Sequence, residues 1–235
     1  MDTKIRFDDT GLSDLGADFI DDDLKQTIIR CIDAQKLAAA EKISRFIAEP
    51  KALEKVSGTA LNAILEQKRN IHGIATDSSI ANGISFGSAH IDGAIIDESV
   101  EKEKANVDLK IARKLKDIFV TDSELQVVNS GHFWYPEESY MSWHTNSKVP
   151  GWRVYVNYAE EEGESFFRYQ DPGSKEIVTL EDKHWNVRVF KITDEQPFWH
   201  CVYSNTNRFS LGYMVKVKSP PQSLLSRIKG KLRLK

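Results

Sequence analysis

Three short stretches carry residues able to do chemistry together: MSWHTNSKVPGWRVYVNY (141–158), PFWHCVYS (197–204) and RFS (208–210). On a strand, residues i and i+2 share a face. That rule would project His144 and Asn146 together, turn Thr145 away, put Arg208 beside Ser210, and turn Cys201 away from the site of His200. Two imidazoles with one carboxylate on a face of iron leave three positions for oxygen and substrate-derived ligands. A guanidinium fork beside a hydroxyl binds a carboxylate bidentately. Either histidine alone reads as a core residue; the joint occurrence with Arg208 and Ser210 points to a site.

The elements that would position these residues follow from periodicity. Residues 22–48 carry Leu24, Ile28, Ile29, Cys31, Ile32 and Leu37 at helical spacing after an acidic start, and Pro50 stops the run. A second helical segment spans 51–67. Residues 70–96, with Gly73, Gly83, Gly87 and Gly93, read as loop with one strand. Residues 98–119 return to a charged amphipathic helix. From 124 on, eight short runs rich in Val, Tyr, Phe and Trp alternate with turn residues, which predicts an all-β sandwich or barrel. The fold class is therefore mainly β with N-terminal helices, in three parts: a helical and loop region (1–123) packing on the core, a β core (124–218) and a basic tail (219–235). Trp143, Trp152, Trp185 and Trp199 are expected to pack the two sheets together; Trp134 and Tyr140 are core residues or pocket walls. His72, His90, His132 and His184 have no comparable company and are read as structural.

The totals exclude more than they identify. At 235 residues, 40% hydrophobic and 29% charged, the chain is an ordinary globular sequence, and a net charge of −3 gives no global pull toward nucleic acid or anionic membrane. The charge is polarised: eight aspartates lie in the first 23 residues, no acid follows Glu195, and residues 216–235 carry seven Lys or Arg. In the tail, Leu224, Leu225, Ile228 and Leu232 share a helical face opposite cations, a pattern suited to an acidic partner, a membrane surface or nucleic acid. Two distant cysteines, Cys31 and Cys201, no signal peptide and no spanning segment give a reducing, cytoplasmic setting as the expectation.

Over residues 124–217 the order of short motifs resembles the iron(II)- and 2-oxoglutarate-dependent oxygenases, in particular their prolyl-hydroxylase-like branch. Tyr135 stands ahead of the first histidine; His144-Thr145-Asn146 corresponds to the family's H-x-D with Asn at the last position. Arg153 leads into an aliphatic strand, Gly163-Glu164 opens the next, and Val187–Phe190 ends at Phe. His200 corresponds to the distal histidine and Arg208-Phe209-Ser210 to the R-x-S that holds the far carboxylate of 2-oxoglutarate. The resemblance implies a double-stranded β-helix, a cupin-like jelly-roll. It implies Fe(II) held by His144, Asn146 and His200, 2-oxoglutarate bound with Arg208, Ser210, Tyr135 and Tyr155, and O2 consumed in a hydroxylation. The primary substrate, whether small molecule, peptidyl side chain or nucleobase, is not encoded in these motifs.

Asn for Asp leaves four readings. Asn146 is a weaker ligand; or it stands behind the ligand set while water or another carboxylate such as Glu164 or Asp171 completes it; or the position is left open; or the metal site has decayed. The chain is accordingly a dioxygenase, a non-catalytic jelly-roll binding protein with a degenerate site, or a metal-dependent cupin-like enzyme that does not use 2-oxoglutarate.

Overall fold

The computed structural model describes residues 4–9, 11–66, 81–87 and 93–218. The chain opens with two short strands, β1 (Ile5–Arg6) and β2 (Leu12–Asp14), followed by helices α1 (Asp22–Ala38), α2 (Ala40–Ser44), α3 (Ala52–Lys55) and α4 (Gly58–Glu66). Strands β3 (Ala81–Asn82) and β4 (Ile84–Phe86), helix α5 (Glu98–Ile118) and strand β5 (Phe119–Val120) complete the N-terminal half. Eight strands follow: β6 (Leu125–Tyr135), β7 (Ser139–His144), β8 (Gly151–Ala159), β9 (Ser165–Gln170), β10 (Ile177–Glu181), β11 (Trp185–Ile192), β12 (His200–Ser204) and β13 (Arg208–Val217).

Two helices start where their caps dictate. The Asp21 carboxylate accepts from Leu24 N–H at 2.9 Å at the head of α1, and Asp97 accepts from Ser99 and Val100 N–H at the head of α5. The single helix expected over 22–48 breaks at Ala39, a fully buried small residue with φ −91° and ψ 2°, where the chain turns into α2.

Eleven of the strands form two antiparallel sheets, ordered β2-β11-β8-β13-β6-β4 and β10-β9-β12-β7-β3, while β1 and β5 make a short parallel pair. Alternation along each strand splits the core into layers. On the larger sheet, Trp152, Val154, Val156, Phe209, Leu211, Tyr213 and Val215 face outward and pack under α1 and α5 with Leu24, Ile28, Val107 and Ile111. Residues of opposite parity face the second sheet: Tyr135, Phe190 and Ile192 meet Met141, Phe167 and Val202 between the sheets. A third cluster, of Trp143, Trp199, Cys201 and Tyr140 with Ala52, Val56 and Leu61, closes the outer face of the smaller sheet under α3 and α4.

The tryptophans therefore differ from expectation. Trp143 and Trp199 lie in the cluster beneath α3 and α4, while Trp152 lies in the helix-side layer of the larger sheet, on which Trp185 also packs, beside Tyr158. None of the four packs between the sheets, because their strand parity is opposite to that of the inward residues. Trp134 and Tyr140 are likewise outer-layer core residues. The basic tail, His72 and His90 lie outside the described residues.

Candidate functional site

Strands β7 and β12 are adjacent and antiparallel, and their register sets His200 directly opposite His144. The two rings lie 4.1 Å apart, centroid to centroid. Each ring is oriented by its own strand: His144 Nδ1 meets Ser142 O at 2.8 Å, and His200 Nδ1 meets Phe198 O at 2.9 Å. A carbonyl can only accept, so both Nδ1 atoms carry the proton and both Nε2 lone pairs remain available. Both rings are buried. Burial lowers the pKa of His144 to about 4, against the raising effect of its backbone bond. Burial first, and then the neighbouring His144, hold His200 well below the usual imidazole range. Two neutral imidazoles with paired Nδ1–H groups are the form in which histidine binds a metal.

Asn146 reaches the same place by a different route from the one expected. Strand β7 ends at His144, so the i, i+2 rule does not apply beyond it. Asn146 has a left-handed backbone (φ 55°), a conformation Asn tolerates better than most residues. Its side-chain amide nitrogen lies 3.3 Å from His200 Nε2, and its backbone carbonyl accepts from Val149 N–H at 3.1 Å. Rotating the amide by half a turn would present oxygen at the same point. Glu164 and Asp171 do not complete the set: Glu164 accepts from Asn205, and Asp171 caps its own turn through Gly173 and Ser174 N–H. Among the described residues no three or more His, Cys, Asp or Glu side chains cluster together, so any third protein ligand beside the two histidines has to come from another residue type. Cys201 lies on the opposite face of the sheet, its thiol against Val56 O.

From the histidines a recess of about 410 Å³, counting the space open to solvent, runs between the sheets. Tyr155, Met141, Val202, Tyr135 and Ser210 line it. Gly131 and Gly212, paired in the β6–β13 ladder, keep it open: a Cβ on Gly131 would lie 2.9 Å from the Phe133 ring, and one on Gly212 would lie 2.9 Å from Ser130 Oγ.

Arg208 is fully buried just beneath, its guanidinium 5.4 Å from the ring centroid of Tyr135. Its Nε donates to Asp182 Oδ2 at 2.7 Å, while Nη1 and Nη2 have no partner among the described residues. Asp182 also accepts from Arg188 Nη1 at 2.5 Å and from Ser165 Oγ at 2.7 Å. Burial alone would raise the Asp182 pKa, yet the charges of Arg208 and then Arg188 outweigh it and hold the carboxyl below its ordinary value. Two guanidiniums share this carboxylate, Arg188 has Asp14 as a second partner at 3.9 Å, and Arg208 keeps two terminal N–H2 groups unpaired among the described residues. Such a place suits a carboxylate ligand. Asn157, opposite Ser210 in the ladder, is fully buried with neither amide atom bonded.

The structure thus gathers His144, His200, Tyr155, Tyr135 and Ser210 about one recess, with Asn146 beside His200 and the Arg208 guanidinium against the Tyr135 ring. Sequence reasoning missed Asp182, Arg188 and Asn157. The inward parity of Arg188 is readable from WNVRVF, where it shares a face with Phe190, but Asp182 in LEDKHW looks like an ordinary turn acid.

No protein-family model matches the sequence, and no curated protein matches it. Solved structures do. A Pseudomonas putida prolyl-4-hydroxylase is 13% identical with a TM-score of 0.44, covering 89% of this chain and 94% of its own. A Trichoplax adhaerens prolyl hydroxylase, solved with a hypoxia inducible factor oxygen degradation domain peptide fragment, is 9% identical with a TM-score of 0.47, covering 88% and 83%. An oxidoreductase of the 2OG-Fe(II) oxygenase family from Burkholderia pseudomallei is 15% identical with a TM-score of 0.42, covering 58% and 67%. With TM-scores below 0.5, these likenesses do not carry the functional reading; the residues of the site do.

Proposed function

We propose that this protein is an Fe(II)- and 2-oxoglutarate-dependent oxygenase acting as a hydroxylase. The single observation that carries this reading is the combination of two neutral imidazoles lining one recess with a buried guanidinium set against the Tyr135 ring that lines the same recess, its two terminal nitrogens unpaired among the described residues. The sheet orders β11-β8-β13-β6 and β10-β9-β12-β7 support a jelly-roll, the double-stranded β-helix. In this reading residues 124–218 are the catalytic unit, residues 1–123 buttress it, and residues 219–235 form a tail that contacts an acidic partner.

The residues present fit the implied cofactors. His144 and His200 would hold the metal through Nε2, and the Asn146 amide oxygen, after rotation of the amide, would be the third protein ligand, neutral where a carboxylate would bring charge. When bound, Fe(II) with 2-oxoglutarate and O2 supplies the oxidant, coupling decarboxylation of the cosubstrate to oxidation of a substrate C–H bond. The chain binds, orients and excludes water. Arg208, held by Asp182, pairs with the distal carboxylate of 2-oxoglutarate, and Ser210 donates to it; Tyr135 and Tyr155 wall the path between clamp and histidines. The intact Arg208 cluster favours catalysis over a decayed binding module.

Anaerobic titration with Fe(II) and then 2-oxoglutarate tests this. The expected result is a visible charge-transfer band that appears only with both and is lost in His200→Ala. Metal uptake without a 2-oxoglutarate response would favour a cupin-like enzyme, and neither response a binding module.

A further inference from the structure

Behind the recess, on the helix side of the larger sheet, lies a polar cluster that the proposed cofactor chemistry does not use. Asp108 of α5 is its centre. Tyr213 Oη donates to Asp108 Oδ1 at 2.8 Å, and Asn129 Nδ2 donates to the two carboxylate oxygens at 3.2 and 3.4 Å. His132, fully buried, sets its Nε2 3.6 Å from Asp108 Oδ1 and its Nδ1 3.3 Å from Gln35 Nε2 of α1. An amide nitrogen only donates, so His132 Nδ1 accepts and the proton sits on Nε2, facing Asp108. Burial raises the Asp108 pKa, but His132, Tyr213 and Asn129 outweigh it and hold the carboxyl below its ordinary value, so it accepts as a carboxylate at neutral pH.

Asn129 carries this anchor to the other face of the sheet. Its Oδ1 accepts from Gly131 N–H at 2.9 Å. The β6–β13 ladder pairs Tyr213 with Asn129 and Gly212 with Gly131, so Ser130 is the extra residue of a bulge on β6. In a regular strand Asn129 and Gly131 would share a face. Here Asn129 turns to the helices, while Ser130 and Gly131 line the recess. A bulge leaves its ladder locally disrupted, and the Asn129 side chain supplies a bond that the ladder does not. Gly131 has φ 139°, and the Phe133 ring lies so close that a Cβ there would stand 2.9 Å from it. Phe133 in turn stacks on Tyr135 at 5.9 Å, and both rings line the recess. Contacts thus run unbroken from a carboxylate on α5, one-third exposed, through Asn129, Gly131 and Phe133 to Tyr135.

We propose that Asn129 and Asp108 are positioning residues: from the helix side of the larger sheet they fix the bulge at Ser130 and Gly131, and through Phe133 they hold the recess wall in its ligand-binding shape. For 2-oxoglutarate as that ligand the proposal rests on the oxygenase reading; for the shape of the wall it does not.

The test compares full-length wild type with Asn129→Ala, Asp108→Ala, Asp108→Asn and Ile111→Ala, the last removing fully buried apolar volume from the same helix. Two NMR readings report the wall. One is amide hydrogen exchange at Gly131 relative to that at Val154, buried in the middle of β8, which removes changes in global stability. The other is the methyl shifts of Met141 and Val202, which line the recess from the second sheet. The anaerobic Kd of 2-oxoglutarate with Fe(II) reports the ligand. Asn129→Ala and Asp108→Ala should speed the relative exchange at least about fivefold, the loss of about one hydrogen bond, and raise the Kd by a similar factor. Both methyl signals should move. Asp108→Asn should stay within about twofold on exchange and Kd, because its amide oxygen still accepts from Asn129. Ile111→Ala should leave all three readings unchanged despite its lower stability.

Relative exchange at Gly131 that ignores Asn129→Ala overturns the anchor, as does Asp108→Asn as impaired as Asp108→Ala. Faster exchange with unmoved methyl signals, or the same changes in Ile111→Ala, overturns the positioning role. So does an unchanged Kd in Asn129→Ala when wild type binds 2-oxoglutarate. Wild type that binds none defeats the oxygenase reading instead, and exchange and methyl shifts still decide whether the wall is held from Asp108. Should Asn129→Ala fail to fold, Asp108→Ala decides by the same readings.

Discussion

Replacing Asp182 by Asn should destabilise the protein more than any other isosteric change in the barrel. Asp182 is 1% exposed and accepts from Arg188 Nη1, Arg208 Nε and Ser165 Oγ. With the carboxylate neutralised, two guanidiniums that are 1% and 0% exposed at the side chain lose their shared counter-charge. Breaking a buried pair by removing one partner costs about 3–5 kcal/mol. For a chain of this size each kcal/mol moves the melting temperature about 2–4 °C, so the expected drop is about 6–20 °C. The pH dependence gives a second reading. The folded pKa of Asp182 lies below its ordinary value, so its contribution is fully present above the unfolded carboxyl pKa and is lost as pH falls through the folded one. Wild type should therefore lose stability below about pH 4, and Asp182→Asn should show a shallower fall there. Urea denaturation at pH 7 and across pH 5 to 2.5 measures both. A variant within about 1 kcal/mol of wild type at pH 7 would refute the claim that Asp182 compensates the two arginines.

Other outcomes follow from the same geometry. Arg208→Ala should raise the apparent Kd for 2-oxoglutarate at least about a hundredfold while leaving Fe(II) affinity nearly unchanged, since only the distal carboxylate loses its partner; equilibrium dialysis separates the two. Asn146→Asp should tighten Fe(II) binding at least about tenfold by adding a formal charge to the ligand set, and unchanged affinity in a metal titration would place residue 146 outside it. The histidine pKa values are depressed in the fold, so stability is present above about pH 6.5 and falls on acidification toward about 4, as unfolded imidazoles take up protons that buried His144 and His200 refuse. His144→Gln should flatten the denaturation midpoint across that interval.

The sequence by itself determined the strands, because period-2 alternation is a local property. The runs read from 125 to 135, 165 to 170 and 208 to 217 coincide with β6, β9 and β13. The 98–119 helix coincides with α5 to within a residue for the same reason. Parity also separated His200 from Cys201. Parity cannot say which layer an apolar face meets, so the tryptophans were assigned to the wrong interface: with helices on both outer faces, both parities are apolar. Nor does parity survive the end of a strand. Asn146 comes beside His200 through a left-handed turn braced by Val149 and Arg153, not through alternation.

Tertiary structure alone decided the electrostatics. That His144 stands opposite His200 is a matter of register between strands distant in the chain. That Arg208 and Arg188 share Asp182 is a matter of which side chains the two sheets bury together. Charge pairing inside a core depends on three-dimensional proximity and low dielectric, neither of which a linear pattern records.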